Sequence, residues 1–236
     1  MRILVLQHLA VEHPGVFLDF WQRDGFTWHT VALDEGQSIP DLDGFDLMAV
    51  MGGPQDVWQE ATYPWLVQEK AAIRHWVREM RRPYLGICLG HQLLADALGG
   101  RVAPMARPEV GLAEMMLTGD GARDPIFADV PGVIESLQWH GAEVAEAPEG
   151  AVVLATNAAC AIQALRWGPH AYGVQYHCEI TAATIADWQA IPEYKASLEQ
   201  ALGADGAAGL TDRLLPKLPD FRAHAGKLHD NLRRLI

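Results

Sequence analysis

Residues 83–94, Pro-Tyr-Leu-Gly-Ile-Cys-Leu-Gly-His-Gln-Leu-Leu, constrain this chain more than any other stretch. They read as a short apolar strand, a sharp turn at Cys88 and a leucine-rich helix, with Gly86 and Gly90 flanking the cysteine two residues away on either side. A strand that turns directly into a helix strains the residue at the turn and brings neighbouring backbones together, which glycine on both flanks permits. Such a turn lifts the cysteine clear of the sheet. It also sets the sulfur beside the unpaired N–H groups of the helix start, where a thiolate is stabilised. A buried structural cysteine between two packing glycines fits the short pattern equally well. Gln92 follows one helical turn later on the same face, a polar group able to face whatever the sulfur attacks.

The flanking sequence places this turn in an α/β chain. Residues 2–7 (Arg-Ile-Leu-Val-Leu-Gln) form a continuous apolar run, as expected of a central parallel strand covered on both faces. A helix is expected over 16–23, strands over 28–33 and 47–51, and a long amphipathic helix over 63–82 whose Trp65, Ile73, Trp76 and Val77 pack in the core. The third strand ends in Met51-Gly52-Gly53-Pro54. This is an ordinary turn signal, and also a pair of bare backbone N–H groups at the strand end where open α/β sheets hold their ligands. The order of elements predicts a doubly wound, mostly parallel open sheet with helices on both faces. After Gly99-Gly100 shorter strands are expected over 101–117, 133–139, 152–156, 161–167 and 171–176, as an antiparallel or mixed flank of the same sheet. A helix capped by Thr181 follows, and 191–236 reads as helical, broken at 203–209, Pro216 and Pro219. The expected organisation is a domain over 1–190, with 191–236 as its C-terminal helical extension.

The 236 residues carry a net charge of −12, which argues against nucleic acid and against an anionic membrane surface as partners. The three cysteines, 88, 160 and 178, are too few and too odd in number for a disulfide framework. No Cys/His spacing suggests zinc, so no metal and no cofactor are expected. The first residues read as a strand rather than a leader, and no apolar run reaches bilayer length. A cytoplasmic protein is expected.

The strand over 172–176 runs into His177-Cys178-Glu179. A histidine at a strand end can serve a thiol as base. A carboxylate two residues on, in extended chain, lies on the same side and can orient the imidazole. Cys178 then points the opposite way. His177 follows an apolar strand and precedes a helix cap, so it is expected at the same sheet edge as Cys88.

Taken together, Gly86-Ile87-Cys88-Leu89-Gly90-His91-Gln92, the earlier Gly52-Gly53-Pro54 turn and the later His177-x-Glu179 resemble a class I (triad-type) glutamine amidotransferase domain over roughly residues 1–188. The resemblance implies a flavodoxin-like fold and hydrolysis of a γ-glutamyl amide through a thioester. Cys88 is then the nucleophile, His177 the base and later the acid, and Glu179 its orienter. The backbone N–H groups of Gly53 and Leu89 form the oxyanion hole, and Gly52, Gln92, Gly141 and Ala142 contact the substrate. Gly141 and Ala142 are carried over from the segment 136–141, whose Trp139 and His140 are equally readable as walls. Cys178 stands where the family has proline.

The substrate is either free glutamine, with ammonia passing to a separate synthase partner, or a γ-glutamyl conjugate, as for a γ-glutamyl peptidase. The other readings are another cysteine hydrolase with the same elbow and a non-catalytic regulatory subunit.

Overall fold

In the first strand, β1 (Arg2–Gln7), every residue from Ile3 to Leu6 is fully buried. Ile3 and Val5 enter one core and Leu4 and Leu6 the other, the two-residue period of a strand covered on both sides. A computed structural model describes residues 1–236, except for the side chain of Glu193. Nine strands form one sheet in the order β2-β1-β3-β4-β9-β8-β7-β5-β6. The strands β2 (Thr27–Ala32), β1, β3 (Leu47–Val50), β4 (Tyr84–Ile87) and β9 (Ala171–Val174) are parallel. The remaining strands, β8 (Ala164–Trp167), β7 (Ala151–Thr156), β5 (Arg101–Leu117) and β6 (Val133–Glu146), continue antiparallel. The mixed flank is thus part of one sheet, as the sequence suggests.

Helix α1 (Phe17–Arg23) and the last helix, α7 (Leu218–Leu235), cover one face with Phe17, Phe20, Trp21, Ala225, Leu228 and Leu232. Helices α2 (Trp65–Arg74) and α3 (Leu89–Ala97) cover the other with Leu66, Ile73, Leu93 and Leu94. Between β9 and α7 come α4 (Ala182–Ala190), α5 (Pro192–Ala208) and α6 (Leu210–Leu214). They build a third apolar cluster around Ile185, Trp188, Leu198 and Leu210, against Leu137 of β6. Thr181 caps α4 in a reciprocal capping box with Thr184. Gly203 kinks α5, Gly209 separates it from α6, and Pro219 lies in the first turn of α7. Among the described residues no helix is long and apolar enough to cross a membrane.

Two expectations need correction. The helix expected over 63–82 is α-helical only to Arg74, then widens into a π turn over His75–Glu79, so that the consecutive residues Trp76 and Val77 are both buried. The strand expected over 101–117 is β5, but its partner at the sheet edge, expected over 133–139, runs for 14 residues. Strand β6 continues past Trp139 to Glu146, so His140, Gly141 and Ala142 lie within it.

Candidate active site

Three neighbouring parallel strands, β3, β4 and β9, end at one edge of the sheet. Just beyond their ends lie Gly52 and Gly53, Cys88, and His177 respectively. Parallel pairing carries out this convergence: Gly86 lies beside Gly173 and Ile87 beside Val174, and the N–H of Cys88 donates to Val174 O at 2.9 Å.

Cys88 adopts φ 52°, ψ −103°, a left-handed conformation that is strained for a residue with a Cβ. It stands immediately before α3, so Leu89 is the first helical residue. Neither the N–H of Leu89 nor that of Gly53 has an acceptor among the described residues. Both residues belong to the same corner, because a Cβ added at Gly53 would stand 2.9 Å from Leu89 Cδ2.

The ring of His177 is buried, with Nδ1 2.7 Å from Glu179 Oε1, and it lines one cavity with Cys88, whose thiol points to Trp139 O at 4.0 Å. Burial works against a charged imidazole. The Glu179 carboxylate and the Cys88 sulfur outweigh it and hold His177 well above its ordinary pKa. The backbone here is tied from both directions. The N–H of His177 donates to Leu137 O at 2.8 Å, and Ser136 Oγ donates to His177 O at 2.6 Å. The carbonyl of Glu179 accepts from Val16 N–H at 2.8 Å, beside Gly15, where φ is +54° and a Cβ would lie 1.9 Å from that same oxygen. Cys178 points the other way, into the core shared with α1 and α7.

The structure therefore brings Cys88, His177, Glu179, Gly53 and Leu89 to one corner, and Gln92, Gly141 and Ala142 line the same cavity of about 230 Å³. Gly52 stands under it, where a Cβ would meet Glu12 Oε2 at 2.4 Å and His177 Cε1 at 3.4 Å. Gln92 is already engaged inside the protein, since Nε2 donates to Ala142 O and to Gln175 Oε1, both at 3.0 Å. Only its Oε1 is left to offer a ligand. The carbonyl of Ala142 is likewise occupied, by Gln92 and by His140 Nδ1 at 2.9 Å. Gly141 is exposed at a bulge, where residues 105–108 of β5 lie between the pairs Pro104–Ala142 and Glu109–His140.

Sequence reasoning missed the far wall of this cavity. Glu12, from the loop after β1, is buried and accepts from Tyr194 Oη at 2.5 Å. Burial raises its carboxyl above the ordinary range, while His177 and the Tyr194 hydroxyl lower it. Trp188 packs edge-on against the His177 ring at 4.8 Å, and Trp139 packs against Trp188 at 5.5 Å. Trp139 Nε1 donates to Ser197 Oγ at 3.0 Å. Helices α4 and α5 thus supply a wall of the site, which no local pattern in 181–208 announces. The position of Glu12, just past a parallel strand end, was the one available signal.

The sequence model of the glutamine amidotransferase class-I family matches residues 23–186. The chain belongs to this family. As a class-I glutamine amidotransferase it is 30% identical to the putative glutamine amidotransferase-like protein YfeJ of Salmonella typhimurium over 78% of both chains. It is 32% identical to the A subunit of the glutamine-hydrolyzing GMP synthase of Sulfolobus acidocaldarius, over 64% of this chain and 76% of that one. It is 28% identical to gamma-glutamyl peptidase 3 of Arabidopsis thaliana, over 70% and 68%. The crystal structure of a glutamine amido transferase from Methylobacillus flagellatus superposes with a TM-score of 0.89 at 25% identity, covering 100% of this chain and 95% of that one. The flavodoxin-like architecture expected from the sequence is therefore the fold of this class-I amidotransferase, and the Methylobacillus flagellatus protein shares it nearly end to end.

Proposed function

We propose that this amidotransferase hydrolyses a γ-glutamyl amide through a thioester on Cys88. The observation that carries the reading is His177, bonded to the Glu179 carboxylate, lining one cavity with Cys88 beside two unengaged N–H groups. In the proposed reaction His177 takes the proton of Cys88 as the sulfur attacks the γ-carbonyl carbon. The N–H groups of Gly53 and Leu89 receive the oxyanion, the latter at the positive end of α3. His177 then protonates the departing nitrogen as the C–N bond breaks, leaving the γ-glutamyl thioester. Water attacks the thioester with His177 as base, and glutamate leaves as the sulfur takes back its proton.

The size and charge of the cavity support a small substrate carrying an ammonium. Its volume of about 230 Å³ lies below the roughly 300–1,000 Å³ that holds drug-sized ligands. Glu12 and Asp56 line it, and among the described residues no lysine or arginine does. The Oε1 of Gln92 is an acceptor suited to the α-ammonium, and exposed Gly141 is placed for the amino-acid end of the substrate.

Free glutamine is the first substrate of this reading, with the ammonia passing to a synthase partner, and the similarity to part of a glutamine-hydrolysing synthase supports it. A second substrate class is favoured by the wall of Trp139, Trp188 and Tyr194 beside His177. That wall lies where the leaving nitrogen is protonated, and it suits an organic amine better than ammonia. The similarity to a γ-glutamyl peptidase points the same way. Turnover of glutamine, γ-glutamyl peptides and γ-glutamyl amines by the purified chain, followed as glutamate released, separates the two. A preference for glutamine above every conjugate removes the second class, and no glutamate from any of them ends the proposal.

The role of Glu179 has its own test. Glu179→Gln removes the charge that favours the imidazolium, so His177 loses its proton at lower pH. The alkaline limb of the rate profile, where His177 no longer serves as acid, moves to lower pH, and turnover falls about 10²-fold. An unmoved limb in a folded variant contradicts the assignment.

A further inference from the structure

Directly behind the Gly52-Gly53 turn lies a second buried histidine–carboxylate pair that takes no part in the scheme above. His8, one residue beyond β1, is fully buried. Its Nδ1 lies 2.8 Å from the carbonyl oxygen of Gly52, and its Nε2 lies 2.8 Å from Oε1 of Glu69, also fully buried. Helix α2 supplies both Glu69 and, one turn earlier on the same face, Trp65, which stacks on the imidazole at 5.4 Å and 17°. Among the described residues the other carboxylate oxygen of Glu69 has no partner. Among the described residues the carboxylate bonds through Oε1 to His8 alone.

The chemistry fixes the proton. A carbonyl oxygen only accepts, so Nδ1 carries hydrogen and donates to Gly52. The Nε2–Oε1 contact then holds one further proton between imidazole and carboxylate. Burial disfavours a charged His8, but Glu69 and the Gly52 carbonyl more than offset it and raise its pKa.

The carbonyl of Gly52 and the N–H of Gly53 are the two ends of one peptide group. That group is planar and trans, so fixing the direction of the oxygen fixes the N–H in the opposite direction. Two consecutive glycines cannot do this themselves, because their backbone rotates freely. A hydrogen bond to the oxygen also polarises the group and makes its N–H a stronger donor.

We propose that His8 and Glu69 are positioning residues that pin and polarise the Gly52–Gly53 peptide group, so that the N–H of Gly53 is held toward the cavity as an oxyanion donor. This rests on the proposed hydrolysis. The pair never touches substrate and acts only through the peptide group.

The test uses His8→Leu, His8→Asn and Glu69→Gln in the full chain. Asparagine places an amide N–H near the position of Nδ1 and restores the bond to Gly52 without charge, whereas leucine restores nothing. In Glu69→Gln a neutral His8 still donates to Gly52 but no longer as an imidazolium partner of a carboxylate. Expected are a kcat about 10²-fold lower for His8→Leu, as for loss of an oxyanion donor, and about 10-fold lower for His8→Asn and Glu69→Gln, with KM changed by less than about two-fold. Alkylation of Cys88 by iodoacetamide builds no oxyanion and stays within about two-fold of wild type in all three. The amide proton of Gly53, assigned by NMR, moves upfield in Glu69→Gln and further in His8→Leu. Alkylation falling in step with hydrolysis overturns the proposal, since the site has then merely come apart. So does a His8→Asn no better than His8→Leu, or an unmoved Gly53 resonance. If His8→Leu does not fold, Glu69→Gln carries the same readouts. A wild-type chain inactive on every γ-glutamyl amide defeats the hydrolysis reading instead, and the Gly53 resonance still decides whether the pair polarises that peptide.

Discussion

Cys88→Ala is expected to lower γ-glutamyl amide turnover by at least about 10⁴-fold, because removal of a nucleophile leaves only binding and donor groups to act. The fold should survive. Alanine at this position inherits the same φ of 52° and the same strain, and loses only one sulfur from a site already at the cavity wall. Thermal melting within a few degrees of wild type checks the first point, and glutamate release checks the second. The other two cysteines sharpen the experiment. Burial pushes the Cys160 thiol up to about 12 and that of Cys178 well above its ordinary value, so neither supplies thiolate near neutral pH. Iodoacetamide should therefore label the folded protein at Cys88 alone, and incubation with substrate should protect that site through the thioester. A folded Cys88→Ala protein with undiminished activity removes the nucleophile from the scheme, and with it the roles given to His177 and Glu179.

What the sequence shows and what it hides follow a physical division. Strand-end positions are legible, because apolar runs announce parallel strands and ligands gather at their C-terminal ends. Gly53, Cys88 and His177 stand at three such ends, on the neighbouring strands β3, β4 and β9. The alternation that orients His177 and Glu179 to one side and Cys178 to the other is equally local, and the core placement of Cys178 agrees with it. The continuation of β6 past Trp139 along β5 is hidden because Gly141 reads as a breaker, as Pro104, Pro108 and Gly111 do in the partner strand. Prolines lack a ladder donor and belong at edges and bulges. Here the pairing slips between Pro104 and Glu109, so the strand continues around them. The wall of Glu12, Trp188 and Tyr194 joins residues 182 positions apart, and His8 meets Glu69 across 61. Nothing in the periodicity of a helix says which loop it will roof, so such contacts become visible only when the chain is folded.

Gly90→Ala separates the packing of the elbow from its chemistry and carries the largest expected cost to stability. A Cβ at position 90 would stand 2.1 Å from the carbonyl oxygen of Val50, 2.7 Å from its carbon and 3.1 Å from its Cβ. The two closest atoms are backbone in β3, a central strand, and cannot swing aside as the end of a side chain can. Helix α3 must lift from the sheet instead, at about 3 kcal/mol or more. For a chain of this size that lowers Tm by roughly 6–12 °C. The displacement also reaches the site. Gly90 N–H donates to Met51 O at 3.1 Å and Gly90 O accepts from Tyr84 Oη at 2.7 Å, so the glycine fastens the start of α3 to the residue preceding Gly52-Gly53. Moving the helix moves the N–H of Leu89 relative to that of Gly53, and an error of about 1 Å between them costs on the order of 10²-fold in turnover. Gly132→Ala is the control, since nothing stands within 4 Å of a Cβ there. It should melt close to wild type and keep full activity. If Gly90→Ala also melts with wild type, the close approach of α3 to β3 does not hold the elbow in place. The strained backbone of Cys88 must then be maintained by the β4–β9 pairing alone.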